Sequence, residues 1–208
     1  RRTNHAGQHA KHRVVVVRSE FLRIGAVARA QHHRPAAPRH RAHHGVRADL
    51  VVLSKALGGG LPLGAVLMTD GVAGALVPGM HGCTFGGGPV VTAAGAYVLD
   101  RVRRPGFLAR VRARGRALLA GLAAVAVRHS SLGEVRGLGL LCAVEIVAGA
   151  LFDPPKLVAA ARDEGLLLVR GGERAVRFLP PLTVSSKEIA LALERFEAVV
   201  TRLEKEGE

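Results

Sequence analysis

One lysine, placed where an apolar run meets a glycine cluster, constrains this 208-residue sequence more than any other feature. The run Leu50–Leu53 is continuously apolar, which predicts a short, buried β-strand. Lys55 follows it, and Gly58-Gly59-Gly60 comes next. A strand end fixes a lysine in position, and glycines let a ligand approach the backbone. Two interpretations stay open at this point: a lysine that forms a Schiff base with an aldehyde, or a surface lysine at a helix start.

A second glycine-rich segment, HGCTFGGGP, begins at His81 and places Thr84 29 residues after Lys55. Backbone amides between glycines can turn toward an anion, and the Thr84 hydroxyl adds a further donor. Pro89 is suited to start a helix, whose amino end also favours anions. An ordinary glycine turn would look similar. Combined with the lysine, however, the segment predicts a site for pyridoxal phosphate, which carries both an aldehyde and a phosphate.

A third candidate, Arg177, lies in the segment AVRFLPPL. In a strand, Val176 and Phe178 would point to one face and Arg177 to the other. Its guanidinium could bind a substrate carboxylate through two hydrogen bonds, or it could be a solvated strand arginine.

Alternating helix and strand patterns from Asp49 onward predict an α/β fold. Pro78-Gly79 and Pro105-Gly106 separate the predicted elements. We expect helices at 70–76, 89–104, 107–128, 156–164 and 187–205, the last capped by Ser185 or Ser186. We expect strands at 50–53, 64–68, 134–146 (bent at its glycines), 166–169 and 175–179.

The composition changes abruptly near Arg47. Residues 1–48 carry 11 Lys and Arg against one acid, and they hold eight of the ten histidines. We interpret this basic His/Arg-rich segment as disordered or out of frame, apart from a strand at 14–17 and a short helix at 21–29. Sequence-blind binding of nucleic acid through its charge is an alternative, although the segment lacks an aromatic platform. Its histidines have no cysteine or carboxylate partners, so no metal site is predicted.

Cys83 and Cys142 form no disulfide framework, which is typical of a reducing compartment and predicts a cytoplasmic location. No apolar run reaches the length of a membrane span, and no signal-peptide pattern opens the sequence. The chain begins at Arg1, so we expect it to be a fragment.

Four phrases, in order and with similar spacing, resemble class III pyridoxal-phosphate-dependent aminotransferases: SKALGGGLPLGAVL, HGCTFGGGP, EVRGLGLLCAVEI and AVRFLPPLTVS. Within the class these four motifs are most similar to those of acetylornithine aminotransferases and amino-group-carrier lysine aminotransferases. The resemblance covers residues 49–208. It implies a partial fold-type-I architecture, with the end of the large α/β/α domain at 49–104 and the small C-terminal α/β domain at 105–208.

The resemblance also implies roles. Lys55 would hold pyridoxal phosphate and move a proton at the substrate's alpha carbon, and Thr84 would bind the cofactor phosphate of the partner subunit in a homodimer. Cys83 would lie near the substrate, and Arg177 would bind a carboxylate. The implied reaction moves an amino group from an N-acetylornithine-like substrate to 2-oxoglutarate. Other class III enzymes acting on omega amines, and a non-catalytic protein that keeps the dimer surface, remain alternatives.

The sequence departs from the family pattern upstream of the lysine. The family has an Asp-Glu-x-x-x-Gly motif about thirty residues earlier, whose Asp pairs with the cofactor ring nitrogen, whereas Ile24–Gln31 contains no acid. The family's earlier phosphate loop is not recognisable, and Gly88 replaces a usual Asn. We therefore hypothesise that residues 1–48 are out of frame or an eroded remnant and that catalysis by this chain is weakened.

Overall fold

The computed structural model describes the backbone of residues 12–17 and the whole of residues 48–80 and 82–206. The chain divides into two compact units, 1–103 and 104–208. The helix expected at 21–29 and the tract interpreted as disordered lie outside the described residues, as does His81.

The first unit is built around a three-stranded antiparallel sheet in the order β1 (His12–Val17), β3 (Gly64–Thr69) and β2 (Leu50–Leu53). The central strand β3 has the sequence GAVLMT, and most of its residues are buried. The described part of this unit also has two α-helices: α1 (Asp70–Gly74) follows β3 directly, and α2 (Pro89–Arg103) begins at its proline as predicted. The strands expected at 14–17, 50–53 and 64–68 are confirmed.

The expectation that β2 is buried is wrong. Leu50 is 52% exposed and Val52 is 72% exposed, so one face of the strand is open to solvent. An apolar run predicts a strand that can be buried. Whether it is buried depends on a covering layer from other parts of the protein, about which the run itself carries no information. Helix α1 is also shorter than predicted, because it ends at Gly74.

The second unit is a four-stranded antiparallel sheet in the order β4–β5–β7–β6, with helices packed on one face. Its elements are α3 (Phe107–Arg128), β4 (Leu132–Leu138), β5 (Leu141–Ile146), α4 (Pro154–Asp163), β6 (Val169–Arg170), β7 (Ala175–Phe178) and α5 (Ser186–Lys205). The glycine bend expected in 134–146 is the turn between β4 and β5. The strand expected at 166–169 is largely wrong, because only its last residue enters β6.

The core of this unit follows the strand alternation. Cys142, Val144 and Val176 are fully buried, and Phe178 meets Phe196 of α5 in an edge-to-face contact with ring centroids 5.1 Å apart. Ser185 caps α5, since its hydroxyl accepts from the Glu188 amide and Glu188 accepts from the Ser185 amide.

One close approach sets the distance between α3 and the sheet. A Cβ atom added to Gly115 of α3 would overlap the backbone of Gly139, in the turn between β4 and β5. Only glycine lets the helix lie against that turn.

Candidate functional site

Lys55 stands at the first position of a 3-10 helix, Lys55–Gly58, two residues after β2 ends. Its backbone is left-handed, with φ of 53°, and no other non-glycine residue in the described part of the chain has a positive φ. Its side chain is exposed and makes no hydrogen bond or ion pair with any residue that the structure describes. A left-handed lysine is a strained one, and such strain occurs preferentially at functional sites.

Three glycines allow the 3-10 helix to pack tightly within the first unit. A Cβ on Gly58 would lie 3.0 Å from Leu63, one on Gly59 would lie 3.0 Å from Val98, and one on Gly95 of α2 would overlap the Leu63 side chain. The 3-10 helix that begins at Lys55 is therefore packed against α2, while the Lys55 side chain is exposed.

The loop before α2 carries Cys83 and Thr84. A turn closes there, because the Gly86 amide donates to the Cys83 carbonyl at 3.2 Å. Thr84 is exposed, and its hydroxyl makes no hydrogen bond to the described residues. Gly87 takes a positive φ of 70° with open space where its Cβ would be. The loop thus offers an exposed hydroxyl, without a hydrogen-bond partner among the described residues, beside a glycine-rich turn.

No hydrogen bond or ion pair joins Lys55 to Thr84 within the described residues. The 3-10 helix touches α2 at Gly95 and Val98, whereas Thr84 precedes the start of that helix by five residues. Gly95 lies roughly 9 Å along the helix axis from Pro89, at 1.5 Å per residue. The structure therefore holds both candidates in one unit, without a hydrogen bond or ion pair between them.

Arg177 belongs to the second unit and lies at the centre of β7. As the alternation predicted, Val176 and Phe178 are buried and Arg177 is exposed on the outer face of the sheet. Its Nε donates to the carbonyl oxygen of Arg170 at 3.0 Å. Arg177 is therefore exposed and anchored at Nε, and both its role toward a carboxylate and the alternative of a solvated strand arginine stay open.

Comparison with known proteins decides the family. A model of the aminotransferase class-III family matches residues 40–200, more than three quarters of the chain. The chain belongs to the class III aminotransferases.

Individual relatives agree with this assignment. Acetylornithine aminotransferase 1 of Bradyrhizobium diazoefficiens is 46% identical over 154 residues, which are 74% of this chain and 37% of that protein. Succinylornithine transaminase of Salmonella paratyphi B is 41% identical over 167 residues, 79% of this chain and 40% of that protein. A solved ornithine delta-aminotransferase of Plasmodium falciparum superposes with a TM-score of 0.73 at 29% identity, over 80% of this chain and 44% of that one.

The resemblance and the partial α/β fold inferred from the sequence are thus confirmed. The chain spans about two fifths of the length of the curated relatives it matches. No described helix of this class III aminotransferase chain is long and apolar enough to cross a membrane. The described residues also contain no group of three or more potential metal ligands.

The described residues match two of the three polar parts of pyridoxal phosphate, the cofactor of class III aminotransferases. Lys55 has the amine that the aldehyde would need, and the loop around Thr84 has the hydroxyl that would bind the phosphate. For the ring nitrogen there is no counterpart: the acids described in the first unit are Asp49, Asp70 and Asp100. The nearest before the lysine, Asp49, precedes it by only six residues instead of about thirty. The residues present therefore fit the aldehyde and phosphate ends of the cofactor.

The sequence reasoning missed the surroundings of Arg177. Arg174 pairs with Glu145 at 2.8 Å, and the Arg170 carbonyl anchors the guanidinium. The pair Gly171-Gly172 between two short strands was the available signal for a tight hairpin.

It also missed a polar anchor of α5. His129 is buried, and its Nδ1 donates to Glu204 Oε2 at 2.7 Å, while the Ser131 amide donates to Glu204 Oε1 at 3.2 Å. Burial acts to raise the pKa of Glu204, but these hydrogen bonds outweigh it and leave the pKa below its usual value. Glu197 lies two turns earlier on the same helix face, and its hydrogen bond from Arg128 lowers its pKa. The spacing of seven between the two glutamates was the signal in the sequence.

Proposed function

We propose that this chain is the lysine-bearing part of a pyridoxal-phosphate-dependent aminotransferase that moves an amino group from an N-acetylornithine-like substrate to 2-oxoglutarate. In this proposal residues 49–104 are the end of the large cofactor-binding domain and 105–208 are the small domain. The observation that carries the proposal is Lys55: a solvent-accessible amine on a strained, glycine-supported backbone, in a chain of this family.

Lys55 would hold the cofactor covalently through Nζ and then move a proton at the substrate's alpha carbon. When bound, pyridoxal phosphate supplies a conjugated ring that accepts electrons from that carbon. The packed backbone at Gly58 and Gly95 supports this role, because a fixed attachment point and a free side chain allow Nζ to reach and leave the carbon. The Thr84 hydroxyl would bind the phosphate.

The substrate assignment rests on Arg177 and on the names of the relatives. An exposed guanidinium anchored at Nε suits a carboxylate, which glutamate, 2-oxoglutarate and N-acetylornithine all carry. The matched relatives are named for acetylornithine, succinylornithine and ornithine. Cys83, half-buried beside Thr84, would lie near the substrate.

A homodimer with shared sites is part of the proposal. In the proposal the Thr84 loop binds the phosphate of a cofactor that is held by the partner's lysine, as the resemblance to the family implies. The exposed apolar side chains Phe85 (70%), Val90 (73%) and Tyr97 (66%) lie on this loop and along α2, which supports burial against a second copy. The proposal also places the protein in the cytoplasm, supported by the free thiols of Cys83 and Cys142.

Borohydride trapping tests the cofactor role. The purified chain is incubated with pyridoxal phosphate, reduced and digested, and the labelled peptides are measured by mass spectrometry. The chain carries its own comparison, because it contains four other lysines: Lys11, Lys156, Lys187 and Lys205. We expect Lys55 to be labelled at substoichiometric cofactor while the other four are not.

Two variants sharpen the result. Lys55→Arg keeps the charge and should abolish the selective label, and Thr84→Ala should raise the cofactor concentration needed for it. Equal labelling of all five lysines would refute the proposed cofactor site. Adding N-acetylornithine to the loaded chain, followed by a search for pyridoxamine phosphate, then tests the substrate.

A further inference from the structure

Arg177 is held by one specific edge of its guanidinium. Its Nε donates to the Arg170 carbonyl across the β6–β7 hairpin, at 3.0 Å. A guanidinium has two edges that can grip a carboxylate with two parallel hydrogen bonds: Nε with one terminal nitrogen, or the two terminal nitrogens together. Because Nε is occupied, only the terminal pair is left. A carboxylate must therefore bind end-on, beyond the tip of the side chain.

The charge of Arg177 is not neutralised by the sheet that carries it. On the outer face Arg177 stands opposite Ala143 of β5 and Val169 of β6, neither of which is charged. The acid of β5 on that face is Glu145, and it is engaged by Arg174 at 2.8 Å and by Arg136 at 3.7 Å. Among the described residues no carboxylate pairs with Arg177. The hairpin thus fixes an exposed guanidinium that no described carboxylate neutralises, which leaves it open to an anionic ligand.

Gly171 provides the space that this arrangement needs. A Cβ on Gly171 would lie 2.8 Å from Cγ of Arg177, a distance that real Cβ atoms essentially never show. The φ of Gly171 is not in the left-handed region, unlike that of Gly172, so the backbone conformation does not require glycine at position 171. Glycine is required there because of the space that the Arg177 side chain occupies.

We propose that Gly171 and the Arg170 carbonyl are positioning elements that set the carboxylate specificity of this aminotransferase chain. Because Gly171 has no Cβ, the aliphatic stem of the Arg177 side chain can lie against the turn. The Arg170 carbonyl accepts the hydrogen bond from Nε, which leaves the two terminal nitrogens to bind a substrate carboxylate end-on. This inference rests on the proposed function, because it deepens the assigned role of Arg177. Any side chain at position 171 would displace the stem and break the Nε hydrogen bond.

The test is an NMR titration of the full 208-residue chain labelled with 15N-arginine. The Nε–Hε signal of Arg177 is assigned by its loss in Arg177→Gln, and 2-oxoglutarate is the probe. In the wild type we expect this proton to exchange with water at least about tenfold more slowly than that of Arg170, whose Nε has no hydrogen bond in the described structure. We expect its shift to move saturably with 2-oxoglutarate in the millimolar range.

Gly171→Ala should lose the slow exchange and bind 2-oxoglutarate about tenfold more weakly. The matched control is Gly133→Ala, in β4 of the same sheet, where an added Cβ would meet only side-chain atoms at 3.3 Å or more. It should behave as the wild type. Unchanged amide signals from α5 verify that each variant is folded.

The outcomes separate the inference from the function beneath it. If Arg177→Gln abolishes binding while Gly171→Ala binds as the wild type, the positioning role is overturned and the carboxylate role stands. If the wild type shows no saturable shift, or Arg177→Gln binds equally well, the carboxylate role itself is overturned and the positioning role with it. Exchange of the wild-type Arg177 proton as fast as that of Arg170 overturns the positioning role even if Gly171→Ala cannot be folded.

Discussion

The left-handed backbone of Lys55 makes a quantitative prediction about stability. A non-glycine residue in this region costs roughly 1–2 kcal/mol relative to the right-handed one. Glycine avoids that cost, but its greater conformational freedom in the unfolded chain lowers stability by about 0.4–1 kcal/mol. Because the Lys55 side chain makes no hydrogen bond or ion pair with the described residues, its removal forfeits little else. Lys55→Gly should therefore stabilise the first unit by about 1 kcal/mol, at the expense of the proposed nucleophile.

Two companion variants separate strain from charge. Asn tolerates the left-handed region, so Lys55→Asn should stabilise by about half as much. Ala has the same Cβ restriction as Lys, so Lys55→Ala should leave the free energy of unfolding unchanged. The measurement is amide hydrogen exchange of β3, the central strand of the first unit, because it reports that unit independently of the second. About 1 kcal/mol corresponds to roughly fivefold slower exchange.

Two outcomes would contradict the role of strain. If Lys55→Ala slows exchange as much as Lys55→Gly, removal of the ammonium group is the source of the gain. If Lys55→Gly speeds exchange, the backbone is not strained by its φ of 53°. Either result would remove strain from the argument for a functional lysine.

Three further predictions concern the second unit. Glu204→Gln should cost about 1.5–3 kcal/mol in urea unfolding, because one of the two buried donors that the carboxylate satisfies, at His129 and Ser131, loses its charged acceptor. Since the folded pKa of Glu204 lies below the unfolded one, its contribution is present above about pH 4.5 and declines as the pH falls below that value, and the variant should lack this part of the acid dependence. Gly115→Ala should cost about 3 kcal/mol or prevent folding, measured as loss of the cooperative thermal transition, because its Cβ has no space. Arg112→Glu should raise stability by about 0.5 kcal/mol at low salt, because it replaces a like-charge pair with Arg116 by an ion pair, and the gain should vanish in 1 M salt.

Much of the fold could be predicted because glycine and proline mark the ends of its elements. Pro89 begins α2 and Gly106 precedes α3, and the predicted bounds of α3 agree with the structure at both ends. Burial of β2 could not be predicted, because a run of four apolar residues does not specify what covers it. The strand at 166–169 failed for a related reason: an apolar segment can pack as a loop when pairing partners are absent.

The candidate residues could be proposed from the sequence, but their surroundings could not. Lys55 stands out as a charged residue just after an apolar strand, and Arg177 as a charged residue within one. The left-handed φ of Lys55 and the Nε hydrogen bond of Arg177 depend on backbone conformation and on the register of the β6–β7 hairpin. Contacts between residues far apart in sequence, such as His129 with Glu204, need the packing of α5 to be known first.

The contact between Gly115 and the turn at Gly139 fixes the position of α3 along its axis relative to the sheet of the second unit. A shift of α3 by one turn would bring Val111 or Leu119 to the place where only a hydrogen atom fits. The helix can therefore pack on the sheet in only one axial position. Strand β5 starts directly from that turn, and its Ala143 stands opposite Arg177. The contact that fixes α3 on one face of the sheet therefore lies two residues before the strand whose Ala143 stands opposite Arg177 on the other face.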